Sequence, residues 1–284
     1  MLKYLLALIF IPALLLFNSC GGPAPIPTYI HIDSVGLHTF PSIDGTNSHI
    51  IPDAWVYVDN QLVGAFELPA TIPIPESGSH TLQIAGGIKE NGTSAERQAY
   101  PFFTTWSTPV NLVPGSRTVY HPIVQYLASS HPFDWLENFE GIGKSIIDSL
   151  GSDAPLIKDS VNPFEGHYCG SAYLVPTVAI PLPHFQCQSA TAFAKPPLGL
   201  DCYLEINYRC NNKFYVGLIN VANSTNIIYV TFNPTDVWKK MYVRLTDVLA
   251  GIPVGGSFHV YFGMDADPSV PRPEMHIDNL KLIH

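Results

Sequence analysis

Short alternating runs of apolar and polar residues, separated by proline, glycine and asparagine, make up most of the chain. Such runs predict half-buried β-strands, because successive side chains of a strand point to opposite faces of a sheet. Only the stretches 142–150 and 236–240 have a spacing typical of short helices. The pattern therefore predicts an all-β protein with two short helices.

The runs form two groups, which predict two tandem β-sandwich domains at 29–126 and 131–284. A chain of 284 residues has room for two domains of about 100–200 residues each. Within the first group, the turn residues at 114–116 predict a hairpin between strands at 109–113 and 117–124.

The first residues have a different pattern. Lys3 precedes an apolar run at 5–17, which small residues and a cysteine follow. A charged start, a short apolar core and small residues at the cleavage point are typical of a secretory signal. The run is shorter than the roughly 20 residues that a membrane-spanning helix needs. We therefore expect 1–19 to be a cleaved signal peptide.

The ending Leu16-Phe17-Asn18-Ser19-Cys20 resembles the lipobox of bacterial lipoproteins. Asn18 departs from the usual small or aliphatic residue and is similar to lipoproteins of the Bacteroidota. The resemblance implies that Cys20 carries acyl chains, that 20–28 is a tether, and that the protein is lipid-anchored in the outer membrane at the cell surface. The alternative is a plain signal peptide with a coincidental cysteine.

Composition limits the partners. The net charge is -9, and no basic residues cluster, so nucleic acid is not an expected partner. Charged residues are only 13% of the chain, which predicts that a partner, a ligand or the membrane covers part of the surface. The aromatic cluster at 100–106 predicts a seam between the domains or a patch for another protein.

Four further cysteines lie in the second half of the chain: Cys169, Cys187, Cys202 and Cys210. An even number in an exported protein permits two disulfides. In an extended strand, Cys202 and Cys210 would be about 26 Å apart, beyond the roughly 7 Å that a disulfide tolerates. Other pairings remain open, as does the alternative of buried free thiols.

The stretches 54–64, 69–72 and 78–84 resemble the PEGA-type module, in which a turn after a "V-x-V-D-G" strand is followed by "G-x-H-x-L-x-I". Asn60 stands where that family has glycine, and a turn with positive φ tolerates asparagine. The resemblance implies a small β-sandwich that acts as a non-catalytic spacer or interaction domain.

The opening Phe139-Glu140-Gly141, the stretch around 238–245 and the closing 277–280 resemble galactose-binding-like jelly rolls, which include many carbohydrate-binding modules. The resemblance implies an eight-stranded double sheet whose first and last strands pair. It also implies a structural Ca²⁺ between those strands, with Glu140 and Asp278 as candidate ligands. The alternative is that both are solvated carboxylates at strand ends.

One face of the predicted strand at 202–210 is polar. Tyr203, Glu205, Asn207 and Arg209 share that face, while the cysteine, leucine and isoleucine residues between them face the core. The four residues are candidates for a ligand or partner surface, and the alternative is an ordinary polar outer face.

No catalytic motif is present: the chain has no Gly-x-Ser-x-Gly elbow, no HExxH helix and no phosphate-binding glycine loop. We therefore expect a non-enzymatic outer-membrane lipoprotein, acting as an accessory subunit of a barrel-insertion, secretion or uptake assembly and contacting other outer-membrane proteins. The alternative is a surface lipoprotein whose jelly roll binds polysaccharide.

Overall fold

The computed structural model describes residues 26–284, so the predicted signal peptide and Cys20 lie outside the described residues. Within that range the chain forms 22 β-strands, one short helix, α1 (Pro41–Asp44), and two 3-10 turns at Ala128–Ser130 and Val248–Gly251. The prediction of an all-β protein built from β-sandwiches is confirmed. No helix between residues 26 and 284 has the length and apolar character needed to cross a membrane.

Ten strands build the first sandwich. They are β1 (Thr28–Ile32), β2 (Gly36–Leu37), β3 (Asp53–Val58), β4 (Gln61–Glu67), β5 (Ala70–Ile74), β6 (Gly78–Lys89), β7 (Arg97–Ala99), β8 (Trp106–Leu112), β9 (Arg117–Tyr120) and β10 (Ile123–Val124). One sheet has the order β4-β3-β6-β7, with β8 also paired to β6; a second has the order β5-β1-β9, and β10 pairs with β2. Ile30 and Ile72 from one sheet share a core with Val56 and Ile84 from the other.

The predicted hairpin between 109–113 and 117–124 is wrong. Strand β8 is antiparallel to β6, whereas β9 lies parallel to β1 in the other sheet. The intervening turn, with Gly115 at φ 78, carries the chain from one sheet to the other. Turn residues predict a change of direction, but the strand partner depends on which sheet has a free edge.

The turn between β3 and β4 has the predicted left-handed backbone. Asp59 has φ 50 and Asn60 has φ 65, which suits the tight turns that join two strands. The Asp59 carboxylate accepts a hydrogen bond from the Thr81 N–H at 2.7 Å and lies 2.7 Å from the His80 ring nitrogen. The aspartate and the histidine of the PEGA-like pattern therefore contact each other.

Twelve strands build the second sandwich. They are β11 (Trp135–Glu137), β12 (Ile146–Asp148), β13 (Ile157–Asp159), β14 (Cys169–Tyr173), β15 (His184–Ser189), β16 (Phe193–Ala194), β17 (Tyr203–Cys210), β18 (Phe214–Asn220), β19 (Thr225–Phe232), β20 (Thr235–Arg244), β21 (Ser257–Asp265) and β22 (Glu274–Ile283). The sheet that faces the first domain, here called the docked sheet, has the order β13-β14-β22-β17-β20, with β11 on β22. The other sheet, which faces away from the first domain and is here called the open sheet, has the order β12-β15-β21-β18-β19, with β16 on β21. As the jelly-roll resemblance implied, the first and last strands pair, with Trp135 opposite Leu282.

Both helix predictions are wrong. The stretch 142–150 contains β12, and 236–240 lies within β20. Ile146 and Ile147 are β-branched and suit a strand, and β20 pairs with β17 along most of its length. Pairing with a neighbouring strand outweighs a weak helical spacing in such short segments.

The two sandwiches pack against each other through aromatic rings. The Tyr100 ring lies 5.2 Å from that of Tyr203 and 5.0 Å from that of Tyr242, both edge to face. Phe102 also contacts Tyr203, at 6.0 Å between centroids. The aromatic cluster at 100–106 is therefore part of an interdomain seam, which covers one face of the docked sheet.

Candidate functional site

The polar face of β17 is not open to a ligand. Tyr203 and Glu205 are 0% exposed and Asn207 is 1% exposed, because the first domain covers them. Arg209 is half-buried, with its guanidinium 6.0 Å from the Trp238 ring. The alternation correctly identified the face that points away from the sandwich core, but it contained no sign that another domain of the same chain covers it.

That covered face holds a buried group of polar side chains, here called the interdomain network: Tyr100, Tyr126, Glu205, Lys240 and Lys281. Glu205 accepts hydrogen bonds from the hydroxyls of Tyr126 (2.9 Å) and Tyr100 (3.0 Å), and its Oε2 lies 2.7 Å from Lys240 Nζ. Lys281 donates to the Tyr126 hydroxyl at 3.1 Å. The network joins side chains from both domains.

Burial and pairing have opposite effects on the charges in the network. Burial alone would raise the pKa of Glu205, but Lys240 and Lys281 outweigh it and hold that pKa below its usual value. Burial lowers the pKa of Lys281 to about 8, although Glu205 partly offsets the effect. The Glu205 carboxylate therefore stabilises the buried ammonium groups of Lys240 and Lys281.

All four cysteines of the second domain are free thiols in the structure. Each is almost completely buried, and burial raises the pKa of Cys169 and of Cys210 to about 11. These four thiols are unbonded in the structure, as the free-thiol alternative expects, and burial favours their protonated, unreactive form; disulfide pairing stays a prediction.

The two predicted calcium ligands lie on either side of the segment that precedes β14. Glu140 Oε1 accepts hydrogen bonds from the backbone N–H groups of His167 (2.8 Å) and Tyr168 (2.9 Å). Asp278 is buried, which raises its pKa to about 7, and it accepts from the N–H of Asn279. No group of three or more metal-ligating side chains occurs in residues 26–284. Calcium binding stays a prediction, which a melting temperature lowered by EGTA would support.

The outer face of the open sheet, in contrast, is not covered by the first domain. The inward residues of this sheet, such as Phe185, Val216 and Phe262, lie in the sandwich core. The alternate residues of β15 and β21 point outward, and they are His184, Gln186, Gln188, His259, Tyr261 and Gly263. Five strands at about 4.8 Å spacing give this face a width of about 19 Å.

A groove of about 500 Å³ lies on this face. Gln186 and Gln188 from β15, His259 from β21 and Ile219 from β18 line its floor. The remaining lining residues come from the edge strand with the segment after it and from the β18–β19 hairpin: Ile147, Asp148, Ser149, Leu150, Val221, Ser224 and Asn226. The groove therefore combines planar amides with aliphatic walls.

Two tyrosines lie next to each other on the outer face of this sheet. Tyr215 is opposite Gly263 across the strand pair, and a Cβ at Gly263 would come within 2.2 Å of the Tyr215 ring. Tyr261 is opposite Gly217 on the same pair, and the two tyrosine rings are 5.9 Å apart. Tyr261 is only 2% exposed, whereas Tyr215 is half-buried. The absence of a side chain at Gly263 is what allows the Tyr215 ring to lie on the sheet.

The groove carries little charge. No lysine or arginine lines it, and its single carboxylate, on Asp148, accepts a hydrogen bond from the Leu156 N–H at 2.7 Å. The His259 ring nitrogen lies 2.7 Å from the Ser189 carbonyl oxygen, which fixes the orientation of the ring. The side chains of Gln186, Gln188 and Asn226 provide both donors and acceptors. The site suits an uncharged ligand rich in hydroxyl groups.

Sequence reasoning missed this face. The segment 184–189 does alternate, with two glutamines between buried residues, but glutamine in a strand is also typical of an ordinary solvated face. The groove becomes recognisable only when 147–150, 184–189 and 219–226 meet through pairings distant in sequence.

No protein-family model matches the chain, and no curated protein matches it. Among solved structures, it is similar to a xylan-binding domain of carbohydrate-binding module family 22, with a TM-score of 0.38 and 14% identity over 55% of this chain and 96% of that one. A family 11 carbohydrate-binding module of a cellulosomal cellulase of Clostridium thermocellum has a TM-score of 0.38 and 12% identity, over 53% and 94%. A family 61 module in complex with β-1,4-galactotriose has a TM-score of 0.32 and 14% identity, over 48% and 85%. At these scores and identities, the similarities do not determine what this chain binds.

Proposed function

We propose that the chain binds an uncharged polysaccharide in the groove of the open sheet. The observation that carries the proposal is the pair of glutamines, Gln186 and Gln188, on the floor of a 500 Å³ groove on a face that the first domain leaves uncovered. Ligand sites combine apolar walls with a few well-placed polar groups, and this groove has both.

The composition of the groove favours a sugar over other ligands. Amide side chains can donate to and accept from neighbouring hydroxyls, while Ile147, Leu150 and Ile219 provide apolar surface for the C–H faces of sugar rings. The lack of lysine and arginine disfavours a polyanion. A width of about 19 Å across the sheet accommodates several linked sugar units rather than one.

Binding to a panel of neutral polysaccharides, including xylan, galactan, mannan and mixed-linkage glucan, tests the proposal by calorimetry or affinity electrophoresis. Each lost amide hydrogen bond removes about 0.5–1.5 kcal/mol, so the double variant Gln186→Ala/Gln188→Ala should bind about tenfold more weakly or worse. Gln61→Ala is the matched control, because Gln61 is an exposed glutamine in the first domain. Failure to bind any member of the panel, or a double variant equal to the control, would reject the proposal.

The location of the protein belongs to the same proposal. We propose an exported lipoprotein held at the outer membrane by acyl chains on Cys20, because a charged start, a short apolar run and a lipobox-like ending precede that residue. Two or three acyl chains anchor a protein stably, whereas one does so only marginally. Cys20→Ala should release the protein into the soluble fraction, and a variant that stays with the membrane would contradict the lipid anchor.

A role as an accessory subunit of an outer-membrane assembly has one supporting observation. The loop between β14 and β15 has no charged residue and exposes four aliphatic side chains: Val175, Val178, Ile180 and Leu182. Exposed apolar loops of this kind are typical of contacts with another protein. Co-purification of a barrel protein from solubilised membranes, lost in a Val178→Asp/Ile180→Asp variant, would support this role over free glycan binding.

A further inference from the structure

A second concavity lies where the two domains meet the edge of the second sandwich. It has a volume of about 350 Å³ and is here called the lysine cleft. The first domain contributes Ile50, Lys89, Asn91 and Gly92, and the second contributes Tyr208, Thr231, Asn233, Pro234, Lys239, Lys240, Met241 and Tyr242. Neither domain alone forms the cleft.

The lining carries positive charge and no carboxylate. Three of the lining residues are lysines, in a chain whose net charge is -9. Lys239 is exposed and forms no ion pair with any residue between 26 and 284. Lys89 is 3.6 Å from Glu67, a carboxylate that is itself 62% exposed, so this pair is weak. The ammonium of Lys240 is directed to Glu205, so the available charge comes from Lys239 and Lys89.

Two carboxylates close to the cleft already have partners. Glu205 is paired with Lys240 behind the lining, and Glu90 lies 3.7 Å from Arg244. Glu67, the exposed carboxylate that pairs with Lys89, also lies 3.3 Å from Arg97. The cleft lining therefore presents lysine ammonium groups and no carboxylate to an anion that enters from solvent.

The walls of the cleft are held in place by contacts between the domains. The Asn91 N–H donates to the Tyr242 carbonyl at 2.9 Å, and the Arg244 N–H donates to the Asn91 side chain at 3.0 Å. Gly92 has φ 70, and a Cβ there would come within 2.8 Å of the Met241 methyl group. A site with fixed walls loses little conformational freedom on binding, which favours affinity.

We propose that the lysine cleft binds an anionic saccharide, through a carboxylate or sulfate group that lies between Lys239 and Lys89. The volume is at the lower end of the range for small-molecule sites and suits one or two sugar rings. The side chains of Asn91, Asn233 and Thr231 line the same cleft, and their amide and hydroxyl groups can bond ring hydroxyls. This site is separate from the groove, so the protein would hold neutral and acidic sugars at two places.

The test uses calorimetry on the full protein with three probes of equal length: a galacturonate trisaccharide, a sulfated galactotriose and neutral galactotriose. Lys239→Gln and Lys89→Gln each remove one cleft charge. Lys158→Gln is the matched control, because Lys158 is on β13, at the opposite edge of the docked sheet from β20. Circular dichroism establishes that each variant is folded, and the groove variant Gln186→Ala/Gln188→Ala separates the two sites.

One or both acidic probes should bind, and the preferred probe identifies the group as carboxylate or sulfate. Hydrogen bonds to charged groups are strong enough that each cleft variant should weaken this binding about tenfold. Added salt should weaken it further, while the control and the groove variant should leave it unchanged. The proposal is overturned if neither acidic probe binds, if binding survives both cleft substitutions, or if the groove variant abolishes it. If the protein fails to bind neutral glycans but still binds an acidic probe, the result rejects the proposal for the groove and not the proposal for the lysine cleft.

Discussion

Replacing Glu205 by glutamine tests whether the interdomain network holds the two sandwiches together. Glu205 is 0% exposed and lies between two lysines whose own side chains are almost fully buried. Glutamine has nearly the same shape and keeps an oxygen that can accept from Tyr126 and Tyr100. The substitution therefore removes one charge and leaves the packing nearly unchanged.

The expected loss follows from the charges that remain. In Glu205→Gln, the ammonium group of Lys240 stays buried without a carboxylate partner, and Lys281 loses the strongest of the carboxylate attractions that act on it. Removing one member of a buried ion pair costs about 3–5 kcal/mol, which is a large part of the about 5–15 kcal/mol that stabilises a typical domain. Adding Lys240→Met removes one stranded charge, so the double variant should regain about 2 kcal/mol.

Equilibrium unfolding in urea at pH 7, followed by circular dichroism and tryptophan fluorescence, measures these differences. Because the network joins the domains, both probes should report one transition in the unsubstituted protein. The exposed Glu76, substituted as Glu76→Gln, is the control and should change the free energy of unfolding by no more than about 0.5 kcal/mol. A Glu205→Gln variant within about 1 kcal/mol of the unsubstituted protein, or two separate transitions, would refute the reasoning.

Three further predictions concern the same molecule. Burial lowers the pKa of Lys281 from 10.5 to about 8, so this side chain binds more protons in the unfolded chain between these values and stabilises the fold increasingly from pH 8 to about 10; the buried thiols, whose pKa is raised, act in the opposite direction equally in both proteins, so the free energy of unfolding measured relative to Lys281→Met should rise over this range, and a constant difference would contradict the assignment. The four buried thiols should not react with a thiol reagent in the folded Cys20→Ala variant, and all four should react after unfolding without reductant; fewer than four would indicate a disulfide. Gly263→Ala should displace the Tyr215 ring and weaken glycan binding severalfold, whereas Gly143→Ala, which has no neighbour within 4 Å of its Cβ position, should not.

The sequence predicted the sandwiches well because their cores depend on local alternation. The run from Tyr203 to Cys210 alternates in every residue, and its apolar half lies in the core as expected. The polar half was assigned to a ligand or partner surface, since periodicity reports which face a residue occupies and not what lies against that face. The alternation along a strand is the same whether solvent or another domain lies against its outer face, so docking of the first domain could not be predicted from this strand.

The groove and the strand partners were harder to predict for a related reason. Both depend on contacts between segments far apart in sequence, such as Ile147 with Gln188 and Gln188 with Tyr261. The short stretches around 142–150 and 236–240 have helical spacing but pair with neighbouring strands, so tertiary contacts overrode their local preference. Sequence patterns are most informative where one element alone determines the outcome.

The position of β22 has a consequence for how the protein is made. This strand, Glu274–Ile283, lies between β14 and β17 in the docked sheet and also pairs with β11. A chain emerging from the ribosome or an export channel at about 5–20 residues per second cannot close the second sandwich until Ile283 has emerged. Until then, β17 and β14 have an unpaired edge between them, and such edges are prone to aggregation. The two halves of the docked sheet can therefore be joined only after β22 has been delivered, so the second sandwich should fold after β22 is synthesised rather than strand by strand during synthesis.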